Sequence, residues 1–212
     1  MDHQLLCYHL RVVKKRLVLF DFDGTITTKD TFIEFIRFYH GTFKLASGFG
    51  LMFPVLALYK LKVIPNWKAK EIVLTWFFKG QDAERFNKIC REFSSSVLPR
   101  LIRPAALAEI KKYENDAEIV VVSASAENWV SPWCAKNNLK VIATQLESIQ
   151  GKLTGKISGK NCFGEEKAVR IREKYSLGSY SEIIAYGDSS GDKEMLELAH
   201  RHFYKPFRSL TF

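Results

Sequence analysis

Cysteine is scarce in this sequence, and its few cysteines are spread along the chain without any C-x-x-C pair. Zinc sites and disulfide frameworks need such pairs or clusters, so neither is expected. The spread instead predicts reduced, mostly buried thiols of the kind found in cytoplasmic proteins. The cysteines are Cys7, Cys90, Cys134 and Cys162.

Long apolar runs, internal repeats and low-complexity tracts are also lacking. The most apolar segment, 45–59, is too short and too interrupted by Gly48, Gly50 and Pro54 for a transmembrane helix. No signal peptide is expected, because basic residues lead directly into the first predicted strand without a small-residue cleavage site. Residues 1–15 are expected to form a short helix or a frayed leader. A cytoplasmic location follows from these absences.

Acidic residues are outnumbered, since 32 Lys and Arg stand against 23 Asp and Glu, for a net charge of +9. Such an excess of positive charge suits phosphorylated or otherwise anionic partners. The basic residues are scattered, and no zinc-finger, RNP-like or helix-turn-helix signature is present. Nucleic acid is therefore not an expected partner.

The segment 17–28, LVLFDFDGTITT, carries the first signal of chemistry. A strand-like apolar run from Leu17 ends in two aspartates one residue apart, followed by a glycine. Because side chains alternate along a strand, Asp21 and Asp23 would share a face at its carboxyl end, where open α/β sheets bind ligands. Burying both carboxylates without a cation would be costly, so the segment predicts a metal.

From Thr31 to about Ile102, apolar residues recur three and four positions apart, which predicts a block of helices. The first helix is expected to begin with a capping box of Thr31 and Glu34, or with Asp30 as the cap. Glycines and prolines are expected to divide the block into several helices. The expected breaks are Gly41, Gly48, Gly50, Pro54, Pro65 and Gly80.

Beyond this block, helical segments alternate with short strands. The alternation predicts an α/β fold, with a Rossmann-like, mainly parallel sheet flanked by helices and an all-helical cap inserted after the first strand. The expected domain bounds are 1–28 and 103–212 for the core and 29–102 for the cap. The expected elements are helix 104–115, strand 118–122, helix 127–137, strand 140–144, hairpin 146–158, helix 165–175, strand 182–186, helix 193–199 and strand 202–204.

Polar residues follow the later strands at the same predicted edge of the sheet. Ser123 comes directly after one strand, and Asp188 and Asp192 come after another. Magnesium prefers oxygen ligands, and the carboxylates of Asp21 and Asp188 with the main-chain carbonyl of Asp23 would suit it. Asp192 would accept hydrogen bonds from the water ligands of the metal without binding the metal itself. The edge therefore predicts a Mg²⁺ site.

Lys167, early in a predicted helix, completes a set of groups suited to phosphoryl transfer. Asp21 would be the nucleophile and form an aspartyl-phosphate. Asp23 would protonate the leaving group and then deprotonate the water that hydrolyses the intermediate. Ser123, the neighbouring amide of Ala124, and Lys167 would bind the phosphoryl oxygens.

Simpler explanations exist for single residues. Ser123 or Asp192 alone would be an ordinary helix cap, and Lys167 alone an exposed helix lysine. Asp30 would contact the substrate from the cap side or only cap the first helix. The segment 45–59 would form the core of the cap or, with basic residues nearby, a face for weak association with a membrane surface.

In four motifs the sequence resembles the haloacid dehalogenase (HAD) superfamily of phosphohydrolases. The motifs occur in order: DFDGT at 21–25, VVSAS at 121–125, Lys167 in GEEKAVRI, and GDSSGD at 187–192. The helical insertion after the first motif is similar to the cap of the phosphoserine-phosphatase-like branch, subfamily IB. The resemblance spans 17 to about 206 and implies a Rossmann-like core, Mg²⁺ dependence and small phosphomonoester substrates.

The chain departs from phosphoserine phosphatases at positions that bear on the substrate. Those enzymes usually have Ser at Gly24, a substrate-selecting Glu at Asp30 and Asn at Gly191, and their second motif is usually Ser-Gly-Gly where this chain has Ser-Ala-Ser. The resemblance therefore implies the hydrolytic residues without implying phosphoserine as the substrate. Dehalogenases of the superfamily lack the second aspartate, so Asp23 argues against dehalogenation.

These features predict a Mg²⁺-dependent phosphomonoester hydrolase that acts through an aspartyl-phosphate on Asp21. Its substrate would be a small phosphorylated metabolite selected by the cap. One alternative is a phosphatase of a phospholipid head group or a lysophospholipid. Alternatives of another class are a phospho-accepting signalling module and a phosphotransferase, which use similar clusters of aspartates and a lysine.

Overall fold

The computed structural model describes residues 15–208 of the chain. The short helix or leader expected over residues 1–15 lies, apart from Lys15, outside the described residues, as does Cys7. The other cysteines are free and buried, as predicted.

A six-stranded sheet forms the centre of the structure. Its strands are β1 (Arg16–Phe20), β2 (Ala117–Ala126), β3 (Lys140–Ile149), β4 (Lys152–Ser158), β5 (Ile183–Gly187) and β6 (Arg201–Tyr204). The order across the sheet is β4-β3-β2-β1-β5-β6. Neighbouring strands run parallel except for the antiparallel pair β3 and β4.

Both faces of the sheet are buried, which explains why its central strands are continuous apolar runs. Along β1, Val18 and Phe20 pack into one hydrophobic core, whereas Leu17 and Leu19 pack into a second core on the opposite face. The alternation follows from the two-residue repeat of a strand. Asp21 is the first residue after β1 and lies at its carboxyl end.

Helices follow β1 directly and also separate the later strands. They are α1 (Thr31–Leu51), α2 (Phe53–Lys60), α3 (Asn66–Phe78), α4 (Ala83–Ser96), α5 (Pro104–Lys111), α6 (Glu127–Lys136), α7 (Glu165–Lys174) and α8 (Lys193–Leu196). We refer to α1–α4 as the helical insertion. The predicted α/β fold, with a mainly parallel sheet and helices inserted after the first strand, is confirmed.

An aromatic cluster joins the helical insertion to the helix that follows β2. Phe35 of α1 stacks on Trp129 of α6, with their ring centroids 4.7 Å apart. It also makes edge contacts with Phe86 and Phe93 of α4, at 5.4 and 5.3 Å. Aromatic burial of this kind contributes much of the stability of a small core.

The hairpin of β3 and β4, predicted over 146–158, contacts the insertion at the end of α3. The hydroxyl of Thr75 in α3 donates to the carbonyl oxygen of Gly155, at 3.2 Å. The amide of Gly80 donates to the carbonyl oxygen of Leu153, at 2.8 Å. Gly155 has a φ of +80°, and a Cβ there would collide with the backbone of Thr75, so this close approach requires glycine.

The start of α1 uses only one of the two expected caps. The carboxylate of Asp30 accepts hydrogen bonds from the amides of Phe32 and Ile33, at 2.9 and 3.1 Å. Glu34 forms an ion pair with Arg37 at 2.8 Å, so the predicted Thr31–Glu34 capping box was wrong. Asp30 is the better cap because its short side chain reaches the free amides of the first turn.

Two of the expected breaks in the insertion are also wrong. Gly48 and Gly50 lie within α1, which runs to Leu51 and bends only at Gly41, where φ is +81°. Gly48 is there for packing, because a Cβ at this position would lie 2.5 Å from the ring of Phe77 in α3. A helix can therefore carry glycine where a neighbour approaches closely.

Gly48→Ala is expected to lower the free energy of unfolding by about 1–3 kcal/mol, because the added methyl group has to displace Phe77. Gly50→Ala is the matched control in the same helix, since no atom lies within 4 Å of its Cβ position. That control should raise stability by about 0.5–1 kcal/mol through helix propensity. Equal effects in thermal or urea unfolding would show that Gly48 makes no close contact.

Later elements differ from the predictions mainly in length. Strand β2 continues to Ala126, four residues beyond its predicted end at Val122, because β3 pairs with it as far as Ala126. The pairing contains an irregularity between Ser123 and Ala126, where β2 shifts register against β3. The last helix ends at Leu196 rather than 199.

Candidate active site

A cavity of about 530 Å³ lies where the helical insertion faces the carboxyl edge of the sheet. Core residues form its floor and insertion residues form its outer wall. Its lining includes Asp21, Asp23, Lys167 and Asp188 from the core, and Tyr59 and Lys70 from the insertion. The edge at which three strands end in polar residues is thus the edge that bears the cavity.

A buried ion-pair triad occupies the floor. The Lys167 ammonium donates to Asp21 Oδ1 and to Asp192 Oδ1, each at 2.6 Å, and to the carbonyl oxygen of Val122 at 2.8 Å. The hydroxyl of Thr25 donates to the other oxygen of Asp21, at 2.8 Å. Lys167 is only 1% exposed, so the simpler explanation of an exposed helix lysine is wrong.

The triad shifts the pKa of each of its members. Burial raises the pKa of Asp21 to about 7, although the charge of Lys167 opposes the shift. Burial would lower the pKa of Lys167, but attraction to Asp21 and Asp192 raises it above its usual value. Burial would raise the pKa of Asp192, but Lys167 and hydrogen bonds from Ser189 lower it. The positive charge on the floor is therefore retained at neutral pH.

Asp23 is held at the junction of the sheet and the insertion. Its Oδ1 accepts from the amide of Thr31, the first residue of α1, at 2.7 Å. Its Oδ2 lies 3.4 Å from the hydroxyl of Ser123. One face of Asp23 remains open to the cavity. The position of this carboxylate therefore depends on how the insertion sits on the core.

Ser123 lies within β2 and is fully buried. Its hydroxyl oxygen accepts from the amide of Ser125 at 2.9 Å, and α6 begins at Glu127, after Ala126, without a side-chain cap. The simpler explanation of Ser123 as a helix cap is therefore wrong, because three residues of β2 separate it from α6. Ala124 and Ser125 line the cavity. A phosphate contact from Ser123 stays a prediction.

The last motif forms a tight turn that fixes Asp192. Asp192 Oδ2 accepts from the amides of Asp188 and Ser189 and from the Ser189 hydroxyl, at 2.9–3.1 Å. Its Oδ1 accepts from Lys167. Both oxygens of Asp192 are thus engaged within the protein. Asp192 stands directly before α8, but its side chain makes no capping hydrogen bond to that helix; it bonds back to Ser189, the cap of the turn, and is part of the site.

The geometry of the acidic residues fits a divalent cation. One carboxylate oxygen from each of Asp21, Asp188 and Asp192 lies within 4.8 Å of the others. Asp192 accepts four hydrogen bonds from donors in the described part of the chain, against two for Asp21 and one for Asp188, so Asp21 and Asp188 are the better direct ligands. Burial raises the pKa of Asp188, although the ion pair with Arg208 opposes the shift. Hard oxygen donors of this kind suit Mg²⁺.

Gly24 allows Asp188 to approach the first motif. It has a φ of +84°, and a Cβ at this position would collide with the Asp188 carboxylate. Any other residue would be strained and would push Asp188 away from Asp21. The glycine that follows the two aspartates therefore serves the site directly as well as the turn.

Asp30 lines the cavity in addition to capping α1, so its two predicted roles are compatible in position. Desolvation by the surrounding protein and the nearby charge of Asp23 raise its pKa to about 6, although Asp30 is exposed at the rim of the site. The helix-capping bonds oppose this shift. A substrate contact from Asp30 stays a prediction.

Two cations of the site were missed in the sequence. Lys70 of α3 donates to the carbonyl oxygen of Ala124 and to Asn161 Oδ1, and burial lowers its pKa to about 8. Arg208 donates to Asp188 Oδ2 at 2.5 Å. Neither lies in a motif, and no spacing in the sequence connects them to the aspartates. Only the packing of α3 and of the C-terminal segment brings them to the cavity.

Comparison with known proteins identifies the family that the four motifs predict. The model of the haloacid dehalogenase-like hydrolase family matches residues 18–197. Protein CicA of Caulobacter vibrioides strain NA1000 / CB15N is 34% identical over 195 residues, which cover 91% of this chain and 86% of that protein. CicA of a second strain, ATCC 19089 / CIP 103742 / CB 15, matches to the same extent.

Solved structures share the fold. A Bordetella pertussis Tohama I protein with unknown function superposes with a TM-score of 0.78 at 23% identity, covering 89% of each chain. A substrate-bound phosphoserine phosphatase gives a TM-score of 0.63 at 22% identity, covering 90% of this chain and 85% of that one. The fold is thus the one found in phosphoserine phosphatases. The matches and the four ordered motifs together confirm the predicted resemblance, and the chain belongs to the haloacid dehalogenase-like hydrolases.

Proposed function

We propose that this hydrolase cleaves phosphomonoesters through a phosphorylated Asp21. The observation that carries the proposal is the Asp21 carboxylate at the cavity floor, held by Lys167 and Thr25 at 2.6 and 2.8 Å. A carboxylate fixed in this way is oriented for attack on phosphorus, and the lysine offsets repulsion between two anions. The open side of the cavity leaves room for the ester.

The chemistry has two steps. In the first, an oxygen of Asp21 forms a bond to phosphorus while the ester P–O bond breaks, and Asp23 gives its proton to the departing alkoxide. In the second, Asp23 takes a proton from water, whose oxygen attacks phosphorus and releases inorganic phosphate and Asp21. The hydrogen bond from the Thr31 amide to Asp23 orients the group that carries the proton.

The phosphoryl oxygens would be bound by groups on the floor and on β2. Lys167 carries the positive charge, and Ala124 and Ser125 line the cavity beside it. Ser123 completes this set in the proposal. Charge-assisted hydrogen bonds to the oxygens gain most as negative charge develops in the transition state.

Mg²⁺ would be held by the carboxylates of Asp21 and Asp188 and by the Asp23 main-chain carbonyl, with Asp192 supporting its water ligands. When bound, the ion supplies positive charge that screens the phosphoryl group and favours the ionised form of Asp21. Arg208, which pairs with Asp188, would then lie at the edge of the metal site.

In this proposal residues 29–102, which contain the helical insertion, form a cap over the cavity. It supplies Lys70, Asp30 and an apolar outer wall, so it is the part of the cavity that faces the leaving group. A wall of this kind selects the alcohol while the floor binds the phosphate. We place the protein in the cytoplasm, in agreement with its free, buried cysteines.

Phosphoserine is a poor candidate for the substrate. Phe163 packs over Gly191, and a Cβ on Gly191 would collide with its ring, so the Asn that is usual at this position in phosphoserine phosphatases would require the Phe163 ring to move. Phe163 also lines the cavity, where it adds an apolar surface. This departure supports a leaving group other than serine.

The activity can be tested with p-nitrophenyl phosphate. Purified protein with Mg²⁺ is expected to release p-nitrophenol and phosphate, and removal of the metal with EDTA should lower the rate at least about 100-fold because a metal typically contributes several kcal/mol. Re-addition of Mg²⁺ should restore the rate. A phosphoryl group that stays on the protein for hours, without turnover, would instead indicate the signalling module, and transfer to an added alcohol would indicate a phosphotransferase.

A further inference from the structure

The outermost part of the helical insertion exposes large apolar side chains in one stretch of chain. Helix α2 has no fully buried residue, although most of its residues are apolar. The exposed fractions are 87% for Phe43, 68% for Leu51, 69% for Phe53, 72% for Leu61 and 65% for Val63. We call these five side chains the apolar face. Apolar side chains exposed together in this way mark an interaction surface.

Basic residues flank this face, and acidic residues are missing from it. No Asp or Glu occurs between Glu34 and Glu71, whereas Lys44, Lys60 and Lys62 lie in this interval. These lysines are exposed, and within residues 15–208 none of them has a carboxylate within 4 Å. Uncompensated positive charge beside apolar side chains matches an anionic lipid surface, which presents both negative head groups and hydrocarbon.

The same helices form the outer wall of the catalytic cavity. Phe49 of α1 and Leu56 and Tyr59 of α2 line it, together with Asp21 at its floor. The apolar face and the apolar part of the cavity wall thus come from the same stretch of chain.

A membrane-spanning arrangement fits the structure less well. Among the described residues no single helix is long and apolar enough to cross a bilayer, and only α1 and α2 together, bent by 64°, have the length and composition. The first half of α1 is built into the protein core, because Phe35 and Ile36 are completely buried there. Only the second half of α1 and α2 are free to contact lipid, which suits binding in the plane of the interface.

We infer that the apolar face docks on an anionic lipid bilayer and that the substrate is the phosphomonoester head group of a membrane lipid. The docking is independent of the proposed phosphatase activity, whereas the lipid substrate rests on it. The lysines attract the protein to the surface, the apolar side chains enter the interface, and the head group enters the cavity that the same helices line. The leaving group is then a lipid alcohol, whose hydrocarbon is accommodated by the apolar wall.

Sedimentation with vesicles tests the docking without reference to activity. The wild-type protein is expected to sediment with vesicles of phosphatidylglycerol and phosphatidylcholine in equal parts, and far less with phosphatidylcholine alone or at high salt. The variant F53S/L61S should lose at least about tenfold in partitioning. The matched control is I149S/Y204S, two apolar side chains that are 60% and 54% exposed away from the insertion. Both residues lie outside α1 and α2, although Ile149 is in the hairpin that contacts the end of the insertion. The control should partition like the wild type.

The substrate is tested with phosphatidic acid in the same vesicles. F53S/L61S should lose at least about tenfold in its hydrolysis while keeping its rate on dissolved p-nitrophenyl phosphate, because neither residue lines the cavity. The Asp21→Asn variant should bind vesicles normally. Hydrolysis of p-nitrophenyl phosphate without vesicle binding would overturn the docking and leave the proposed function intact. Vesicle binding without any phosphatase activity would overturn the proposed function and the lipid substrate together.

A second copy of the chain is the competing occupant of the apolar face. If the wild type is a dimer that F53S/L61S converts to a monomer, and neither protein binds vesicles, the face is an interface between copies and the lipid inference is wrong. Equal sedimentation of F53S/L61S and the wild type would also overturn it.

Discussion

Asp21→Asn is expected to abolish phosphatase turnover, with a loss of about ten-thousand-fold or more in kcat. The asparagine side chain is uncharged and a poor nucleophile, so it cannot form the acyl phosphate at a useful rate. It also removes the negative charge that pairs with Lys167. The measurement is the release of phosphate from p-nitrophenyl phosphate with Mg²⁺ present, with circular dichroism to confirm folding. Asp116→Asn, on the surface and paired with Arg16, is the matched control and should keep full activity.

Asp23→Asn distinguishes the role of Asp23 from that of Asp21 in the same assay. p-Nitrophenol is a good leaving group that needs little help from an acid, so the first step should survive better than the second. The expected result is a rapid burst of p-nitrophenol followed by slow turnover, with the phosphoryl group trapped on Asp21. Wild-type kinetics in either the Asp21 or the Asp23 variant would contradict the assigned mechanism.

Lys167→Met is expected to lower the free energy of unfolding by about 3–5 kcal/mol and to remove the activity. The substitution leaves two buried carboxylates, Asp21 and Asp192, without the cation that they share at 2.6 Å. Urea unfolding in the presence of EDTA measures the effect without compensation by a metal. The loss should be smaller at acidic pH, where Asp21 is protonated, since its pKa is raised to about 7.

The matched control is Lys193→Met, which removes an exposed lysine paired with Glu197 at 3.8 Å. Exposed pairs contribute little, so its effect should stay below about 1 kcal/mol. Similar losses for the two variants would show that the Lys167 triad is not the main charge pairing of the floor.

The strands and the motif residues were predictable because their signals are local. Each central strand is a short apolar run, and the polar residues at its end follow directly in the sequence, as Asp21 follows Phe20 and Asp188 follows Gly187. Parallel strands share their carboxyl edge, so the order of the motifs was enough to bring these residues together.

Segment ends were less predictable because neighbours decide them. Strand β2 continues beyond Val122 since β3 pairs with it, and α1 continues through Gly48 since Phe77 fills the space that a side chain would take. In both cases a local propensity was outweighed by a contact with a residue far along the chain.

The sequence by itself determined the α/β fold, the family, and the presence of Asp21, Asp23, Lys167 and Asp188 at one edge, because periodicity and strand-end chemistry are written in consecutive residues. Only the tertiary structure decided the outer half of the site. Lys70 reaches the carbonyl of Ala124 across 54 positions of sequence, and Arg208 reaches Asp188 across 20. It also decided that α2 buries none of its apolar residues completely. Contacts between distant segments depend on how whole elements pack, and no local pattern records that packing.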